Sequence, residues 1–226
     1  ECIVDFTQIA IGPEIIEESN NRILIKDLVS PKEMPFKQTI KRMYILVDQM
    51  HSDAMRALKE NDKDLAEDVM KKDDDVDRLH WLVSRQSSIA LKDIILCQKM
   101  GIKLEDANHF QKMSRLLERI GDHSVKIAKN VLTLLEKPPS KKIIDALINA
   151  NNLSLNVLKN SMDAWLQRDI QMANNNIESI QDLIQACEEV PFRPNNNGTD
   201  VEQSIAISYV IESIRRAGEY AGDISE

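Results

Sequence analysis

Apolar residues recur every three or four positions over most of this chain, and this spacing limits the folds that the chain can adopt. In the first such run they are Ile40, Met43, Val47, Met50, Ala54 and Leu58. A period near 3.6 places these side chains along one face of an α-helix. Because a helix with one apolar face must bury that face against another element, the pattern predicts a helical bundle.

Breaks in the pattern divide the first half of the chain into three predicted helices. They are residues 36–60, residues 62 to about 99 with a kink near Ser87–Ser88, and residues 105 to about 136. Asp62 is a suitable N-cap for the second helix, and Gly101 is suited to end it. Pro138–Pro139 stops the third helix, because proline lacks the backbone N–H that a helix interior needs.

The second half of the chain repeats this layout. Gln167-Arg168-Asp169 matches Glu60-Asn61-Asp62 as a corner between two helices. Shifting the last helix back by 97 residues aligns Arg216 with Arg119, Gly218 with Gly121, Glu219 with Asp122 and Ile224 with Ile127. We therefore predict an internal duplication, with one three-helix bundle over residues 36–137 and a second over residues 141–226.

Residues 1–33 have a different pattern, which we assign to a small N-terminal α+β segment. Residues 14–28 read as two β-prone runs around Asn20–Asn21, where asparagine tolerates the positive φ of a two-residue turn. The predicted fold is therefore mainly α, with two tandem three-helix bundle repeats preceded by a short β-hairpin segment. Because the chain opens on Glu1 and not on Met, we expect it to be processed or to be part of a longer protein.

The charge and the cysteines argue against several classes of protein. The 37 acidic residues outnumber the 29 basic ones, so we expect no direct nucleic-acid contact by this portion of the chain. Cys2, Cys97 and Cys187 have no CxxC spacing, which favours a reducing cytoplasm over a disulfide framework or a zinc finger. No apolar run approaches the roughly 18 residues that span a bilayer, so we expect no membrane insertion.

Two carboxylates lie one helical turn apart in the third predicted helix. Glu118 and Asp122 share one face of that helix. This face borders a predicted buried stripe that consists of Leu117, Ile120, Ser124 and Ile127. Like charges at this spacing repel, and carboxylate oxygens on a rigid helix suit a metal ion such as iron, zinc, manganese or magnesium. The alternative is a solvated flank whose acids are neutralised by Arg119 or Arg115.

The second half carries a less regular acidic pair. Where the first copy has Glu118, the second has Arg215, and a guanidinium at that position opposes metal binding. One turn further on, Glu219 and Asp223 again stand four residues apart. The candidate metal ligands are therefore Glu118, Asp122, Glu219 and Asp223, and the first pair is the better candidate.

The residues around the first pair also resemble a known family signature. They read LERIGDHSVKIA from Leu117 to Ala128 and resemble the signature of the PhoU family of phosphate uptake regulators. In that family the signature lies in the third helix of each of two three-helix units. The resemblance implies a regulator that contacts the phosphate ABC transporter or phosphate-signalling proteins, forms a homodimer and binds metal through such acids. Some archaeal relatives carry an AbrB-type DNA-binding module upstream.

No catalytic motif accompanies the acidic pairs. The sequence has no GxSxG, no GxxxxGK[ST], no GxGxxG and no Glu-x-x-His of a di-iron site. We therefore predict no catalytic and no organic-cofactor site, and a protein that is not an enzyme. Two alternatives to a regulator of phosphate uptake stay open. One is the sensor and dimerisation part of a transcription regulator, and the other is a metal-binding bundle for storage or redox chemistry.

The remaining polar candidates have plainer interpretations. His51, His80 and His109 lack the paired spacing of metal ligands, so we expect satisfied core or surface histidines. His123 is expected to face the next helix or solvent. The acidic run Asp73–Asp77 lacks the glycine and distal glutamate of a calcium loop, which favours a solvated helix face.

Overall fold

The computed structural model describes residues 13–19, 22–27, 35–92, 95, 97–98, 101–192 and 201–225. Two strands and six helices lie in this part of the chain, and the mainly α prediction is confirmed. The elements are β1 (Pro13–Ser19), β2 (Arg22–Asp27), α1 (Phe36–Glu60), α2 (Lys63–Ala90), α3 (Leu104–Glu136), α4 (Lys141–Gln167), α5 (Ile170–Glu188) and α6 (Val201–Asp223). Among the described residues, no helix has both the length and the apolar character needed to cross a membrane.

The two strands pair in the antiparallel direction. Pro13 lies opposite Asp27, and the register shifts between Ile15 and Glu17, as it does at a β-bulge. The predicted turn at Asn20–Asn21 and residues 1–12 lie outside the described residues.

The helix limits in the first half follow the sequence pattern except at the end of α2. Helix α1 has the predicted range, and α3 begins one residue before the predicted start. Helix α2 ends at Ala90, so the predicted end near Lys99 was wrong. The chain turns at Leu91–Lys92, and Cys97 then packs with Ala90 and Ala107 in a buried cluster. An apolar period cannot distinguish a continuing helix from a turn whose apolar residues return to the same core.

Contacts between Cα atoms divide the chain into two compact units. The first comprises Glu1–Met43 and Asp77–Arg115, and the second comprises Tyr44–Val76 and Leu116–Glu226. Helices α1, α2 and α3 therefore each contribute residues to both units. This division does not test the predicted duplication, which stays a prediction.

The first unit has an aromatic contact and a buried polar contact in its core. Phe36 of α1 stacks on Phe110 of α3, with 4.8 Å between the ring centroids. His80 Nδ1 of α2 lies 3.1 Å from Ser114 Oγ of α3, within hydrogen-bond distance. His80 is therefore a satisfied core histidine, as predicted.

Two corners of the second unit have the same local structure. Asn61 (φ 58°) and Arg168 (φ 56°) both adopt the left-handed backbone conformation at the end of a helix. The next residue in each corner is an aspartate, Asp62 or Asp169. Its carboxylate accepts the backbone N–H three residues further on, at 3.0 Å and 2.9 Å respectively. The match of the two corners that the sequence shows thus extends to their backbone conformation and capping.

Two glycines of the second unit, Gly121 on α3 and Gly218 on α6, lie against matching pairs of neighbours. The neighbours are Val47 and Val76 for Gly121, and Ser154 and Leu183 for Gly218. Each neighbour of Gly218 follows its counterpart by 107 residues. A Cβ at Gly121 would lie 3.4 Å or more from these side chains, which is ordinary contact. A Cβ at Gly218 would overlap with the fully buried side chain of Leu183.

This difference predicts opposite effects of the same substitution. Gly218→Ala should lower the free energy of unfolding by about 1–2 kcal/mol, because the cost of overpacking exceeds the gain in helix propensity. Gly121→Ala should leave the free energy of unfolding unchanged or raise it by up to about 1 kcal/mol. Urea denaturation of both variants and the unsubstituted protein measures the effects. Equal destabilisation by the two alanines would contradict this packing.

Candidate functional site at the acidic signature of α3

The buried face of α3 is the stripe that the sequence predicts. Leu117, Ile120, Ser124 and Ile127 are each at most 1% exposed. The Ser124 hydroxyl donates to the carbonyl of Ile120 at 3.3 Å, which satisfies the hydroxyl within the helix. Burial of this stripe places Glu118 and Asp122 at its edge, where both residues are half-buried.

A third acid approaches the signature from α2. Asp73 Oδ1 lies 3.9 Å from the position of a Cβ on Gly121, between Glu118 and Asp122 in the sequence. Oδ1 of Asp73 and Oε2 of Glu118 are both inaccessible to solvent, and both side chains also have other interactions. A solvated face was therefore the wrong interpretation for Asp73. Its helical spacing from the buried Val69 and Val76 was the signal available in the sequence.

Two arginines, Arg119 and Arg115, were suggested as neutralising partners of the first pair. Arg115 and Glu118 each have an interaction, so neutralisation of Glu118 by Arg115 stays an open alternative, and only Arg119 has a contact away from the acids. The Arg119 guanidinium lies over the ring of Tyr220 on α6, 5.4 Å from its centroid. Asp122 makes no hydrogen bond or ion pair with any residue that the structure describes. Arg119 therefore does not pair with Asp122.

The second pair has a different environment. Both oxygens of Glu219 are engaged by arginines of the same helix: Oε1 by Nη1 of Arg215, and Oε2 by Nη1 of Arg216 at 3.2 Å. Asp223 lies one turn further along α6 and is also engaged in an interaction. Glu219 in this arrangement does not fit a metal ligand, because its lone pairs accept hydrogen bonds from guanidinium groups.

The four candidate ligands do not come together as one cluster. Among the residues that the structure describes, no three His, Cys, Asp or Glu side chains group closely enough to hold a metal ion. The expectation that Glu219 and Asp223 complete a site with Glu118 and Asp122 therefore has no support in the geometry. The assignment of the ligands stays a prediction.

A fully buried histidine links the signature helix to α4. His51 of α1 has Nε2 at 3.0 Å from the carbonyl oxygen of Ile120 and Nδ1 at 3.2 Å from Oδ1 of Asn151. Burial lowers the pKa of His51, although both hydrogen bonds act in the opposite direction. His51 is a satisfied core histidine, as predicted, and it connects three helices of the second unit.

His123 lies at the contact between α3 and α6. Its ring faces Tyr220 with 5.8 Å between centroids, and its Nδ1 is buried without a hydrogen bond to any described residue. Burial, followed by the charge of Lys126, lowers the pKa of His123 to about 4. At neutral pH the imidazole is therefore uncharged. His123 faces the next helix, which was one of its two expected positions.

The fold and the site together define a class: a bundle of long helices with an acidic signature on α3. A protein-family model described as the PhoU domain matches residues 40–131. The chain is 26% identical over 195 residues to a phosphate-specific transport system accessory protein PhoU homolog of Clostridium acetobutylicum, covering 82% of this chain and 85% of that protein. A homolog of the same name from Aquifex aeolicus is 27% identical over 198 residues, covering 85% of each chain.

A solved structure shows the same fold. The crystal structure of PhoU from Pseudomonas aeruginosa matches with a TM-score of 0.74 at 18% identity, over 84% of this chain and 91% of that chain. The domain match and the relatives show that the chain is similar to the PhoU family, and the structural neighbour shows the same fold. The resemblance carried by the signature is thereby confirmed.

The lowered pKa of His123 predicts a pH dependence of stability. Its pKa of about 4 in the folded protein lies below the 6.5 of an unperturbed histidine, so the unfolded chain binds more protons between these values. Neutral His123 therefore contributes fully to the free energy of unfolding above about pH 6.5, and this contribution is lost as the pH falls toward 4. Between pH 7 and pH 5, the unfolding temperature of His123→Gln should fall less than that of the unsubstituted protein. Thermal unfolding at both pH values measures this difference.

The exposed His109 provides the matched control. His109→Gln should keep the pH dependence of the unsubstituted protein. If His123→Gln and His109→Gln have the same dependence, His123 is not buried in its neutral form.

Proposed function

We propose that this protein is an accessory regulator of phosphate-specific transport, and that it acts by protein contact rather than by catalysis. The observation that carries the proposal is an alignment over more than 80% of the chain with relatives named as accessory proteins of the phosphate-specific transport system. The PhoU domain match includes the acidic signature on α3. We expect its partner among the components of the phosphate ABC transporter or the phosphate-signalling proteins of the cytoplasm.

Exposed apolar side chains on α6 support a role in protein contact. Val201, Ile205 and Tyr209 recur every four residues and are 72%, 51% and 59% exposed. Side chains at this spacing share one face of a helix. Such a face suits burial against another protein surface, and a homodimer is part of the proposal.

Deletion of the gene from its source organism tests the regulatory role. We expect uptake of labelled phosphate to stop responding to external phosphate after deletion, and to respond again when the unsubstituted gene is restored. A double variant, Ile205→Asp with Tyr209→Asp, should fold but restore the response less well, because it places charge on the exposed face of α6. Phosphate uptake that responds normally after deletion would refute the proposed function.

We also infer that the six helices consist of two equivalent three-helix bundles. The matching corners at Asn61 and Arg168 support this inference, because backbone conformation and aspartate capping agree. The matching neighbours of Gly121 and Gly218 support it independently, because they come from two helices of each proposed bundle. Equivalent residues of the two bundles are 107 positions apart at the corners and 97 positions apart at the glycines. The second bundle therefore has ten fewer residues between its corner and its glycine.

We further propose that the first acidic pair binds a divalent metal ion. Asp122 has no hydrogen bond or ion pair within the described residues, and Glu118 stands one turn before it on the same face. Asp73 approaches Gly121 but does not group with these two acids as a third ligand, so the proposed site rests on Glu118 and Asp122. Hard oxygen ligands favour manganese, magnesium, iron or zinc, and a bound cation would relieve the repulsion between the acids. Water or another molecule would complete the coordination.

The metal proposal predicts the effect of one substitution. Asp122→Ala should lower the manganese bound per chain at least tenfold at limiting metal, because it removes a ligand carboxylate. Equilibrium dialysis followed by elemental analysis measures the bound metal. Asp74→Ala, at an exposed position on α2, is the matched control and should bind as the unsubstituted protein does. If the unsubstituted protein binds no manganese above the buffer level, the first pair is not a metal site.

A further inference from the structure

The two copies of the signature have opposite charges at one position. Four residues further on, their carboxylates make different contacts. Under the 97-residue shift, Glu118 corresponds to Arg215 and Asp122 corresponds to Glu219. Asp122 has no hydrogen bond or ion pair to any residue in the described part of the chain. Glu219, by contrast, accepts hydrogen bonds from two arginines. The same position of the bundle therefore holds an open carboxylate in one copy and a neutralised one in the other.

Arg215 joins the acids around it into one cluster. Its Nη1 donates to Glu219, and its Nε and Nη2 donate to Glu212 at 3.0 Å and 2.8 Å. The Arg215 side chain is 29% exposed, whereas that of Arg216 is 47% exposed. A guanidinium fork that binds two carboxylates in this way provides a strong, oriented and permanent positive charge.

The charges of this cluster stabilise each other. The hydrogen bond to Glu212 raises the pKa of Arg215. Burial opposes ionisation of Glu212, but hydrogen bonds from Arg215 and Arg216 outweigh burial and lower the pKa of Glu212. Two acids and two arginines give the cluster no net charge, so the second copy has no excess negative charge to attract a metal ion.

Two neighbours of the second copy are poor metal ligands. Ile180 corresponds to Asp73 under the 107-residue shift, so the sequence has an apolar residue where the first copy has a carboxylate, and the Ile180 side chain lies against Gly222. Cys187 is near enough to feel the charge of Arg215, but burial raises the pKa of its thiol to about 11. A neutral thiol is a poor metal ligand, since metals bind the thiolate.

We propose that Arg215 is a built-in cation that replaces a metal ion in the second copy of the signature. Arg215 is thereby the specificity-determining residue that restricts metal binding to the first copy, and the chain holds one metal site instead of two. This inference rests on the proposed metal site at Asp122.

A charge-reversal variant tests the role of Arg215. Arg215→Glu places a carboxylate between Glu212 and Glu219 on one face of α6, and it should bind one more equivalent of Mn²⁺ per chain than the unsubstituted protein. Arg216→Glu is the matched control, because it adds the same charge one residue further on, at the position that corresponds to Arg119. It should leave the number of bound Mn²⁺ ions unchanged. Equilibrium dialysis gives the stoichiometry, and circular dichroism verifies that each variant is helical.

Two further measurements separate the possible failures. Glu219→Ala, with Arg215 in place, should leave Mn²⁺ binding unchanged within twofold. Loss of half or more of the bound Mn²⁺ in this variant would overturn the proposal. If the unsubstituted protein binds no Mn²⁺, the metal site at Asp122 fails, but Arg215 is still tested. In that case Mn²⁺ should raise the unfolding temperature of Arg215→Glu and not that of Arg216→Glu. Equal responses of these two variants would overturn the role of Arg215.

Discussion

Burial of a single apolar stripe on α3 fixes the rotation of that helix, and the position of the acidic pair depends on it. Leu117, Ile120 and Ile127 are almost fully buried, so Glu118 and Asp122 must lie at the edge of the same core. The carbonyl of Ile120 lies at hydrogen-bond distance from His51, which adds a polar contact to the apolar one. A rotation of α3 that carried the acids into solvent would expose the apolar stripe and break this contact.

The elements that the sequence predicted best are those determined by local patterns. The single apolar stripe of α1 and the proline stop after α3 gave the limits of both helices closely, because periodicity and proline act over a few residues. The end of α2 at Ala90 was missed because Cys97 continues the apolar pattern while packing back across a turn. Local pattern cannot distinguish these two arrangements, since both bury the same residues.

The candidate site was only half predictable for a similar reason. Spacing alone placed Glu118 and Asp122 on one face, but the approach of Asp73 depends on the close packing of α2 on Gly121. Arg119 was considered as a partner for the acids because it is their neighbour in sequence, yet its guanidinium lies over Tyr220. The engagement of Glu219 was implicit in the sequence, because Arg215 and Arg216 precede it by four and three residues. Tertiary contacts decide which nearby charge pairs with which acid.

Asp122 on α3 has no hydrogen bond or ion pair within the described residues, whereas two arginines engage Glu219 on α6. Anomalous X-ray diffraction from crystals grown with Mn²⁺ would locate each bound ion. We expect one anomalous peak per chain within about 2.3 Å of a carboxylate oxygen of Asp122, and none beside Glu219. A peak beside Glu219 or Asp223, or the absence of any peak beside Asp122, would refute the proposed difference between the two acids.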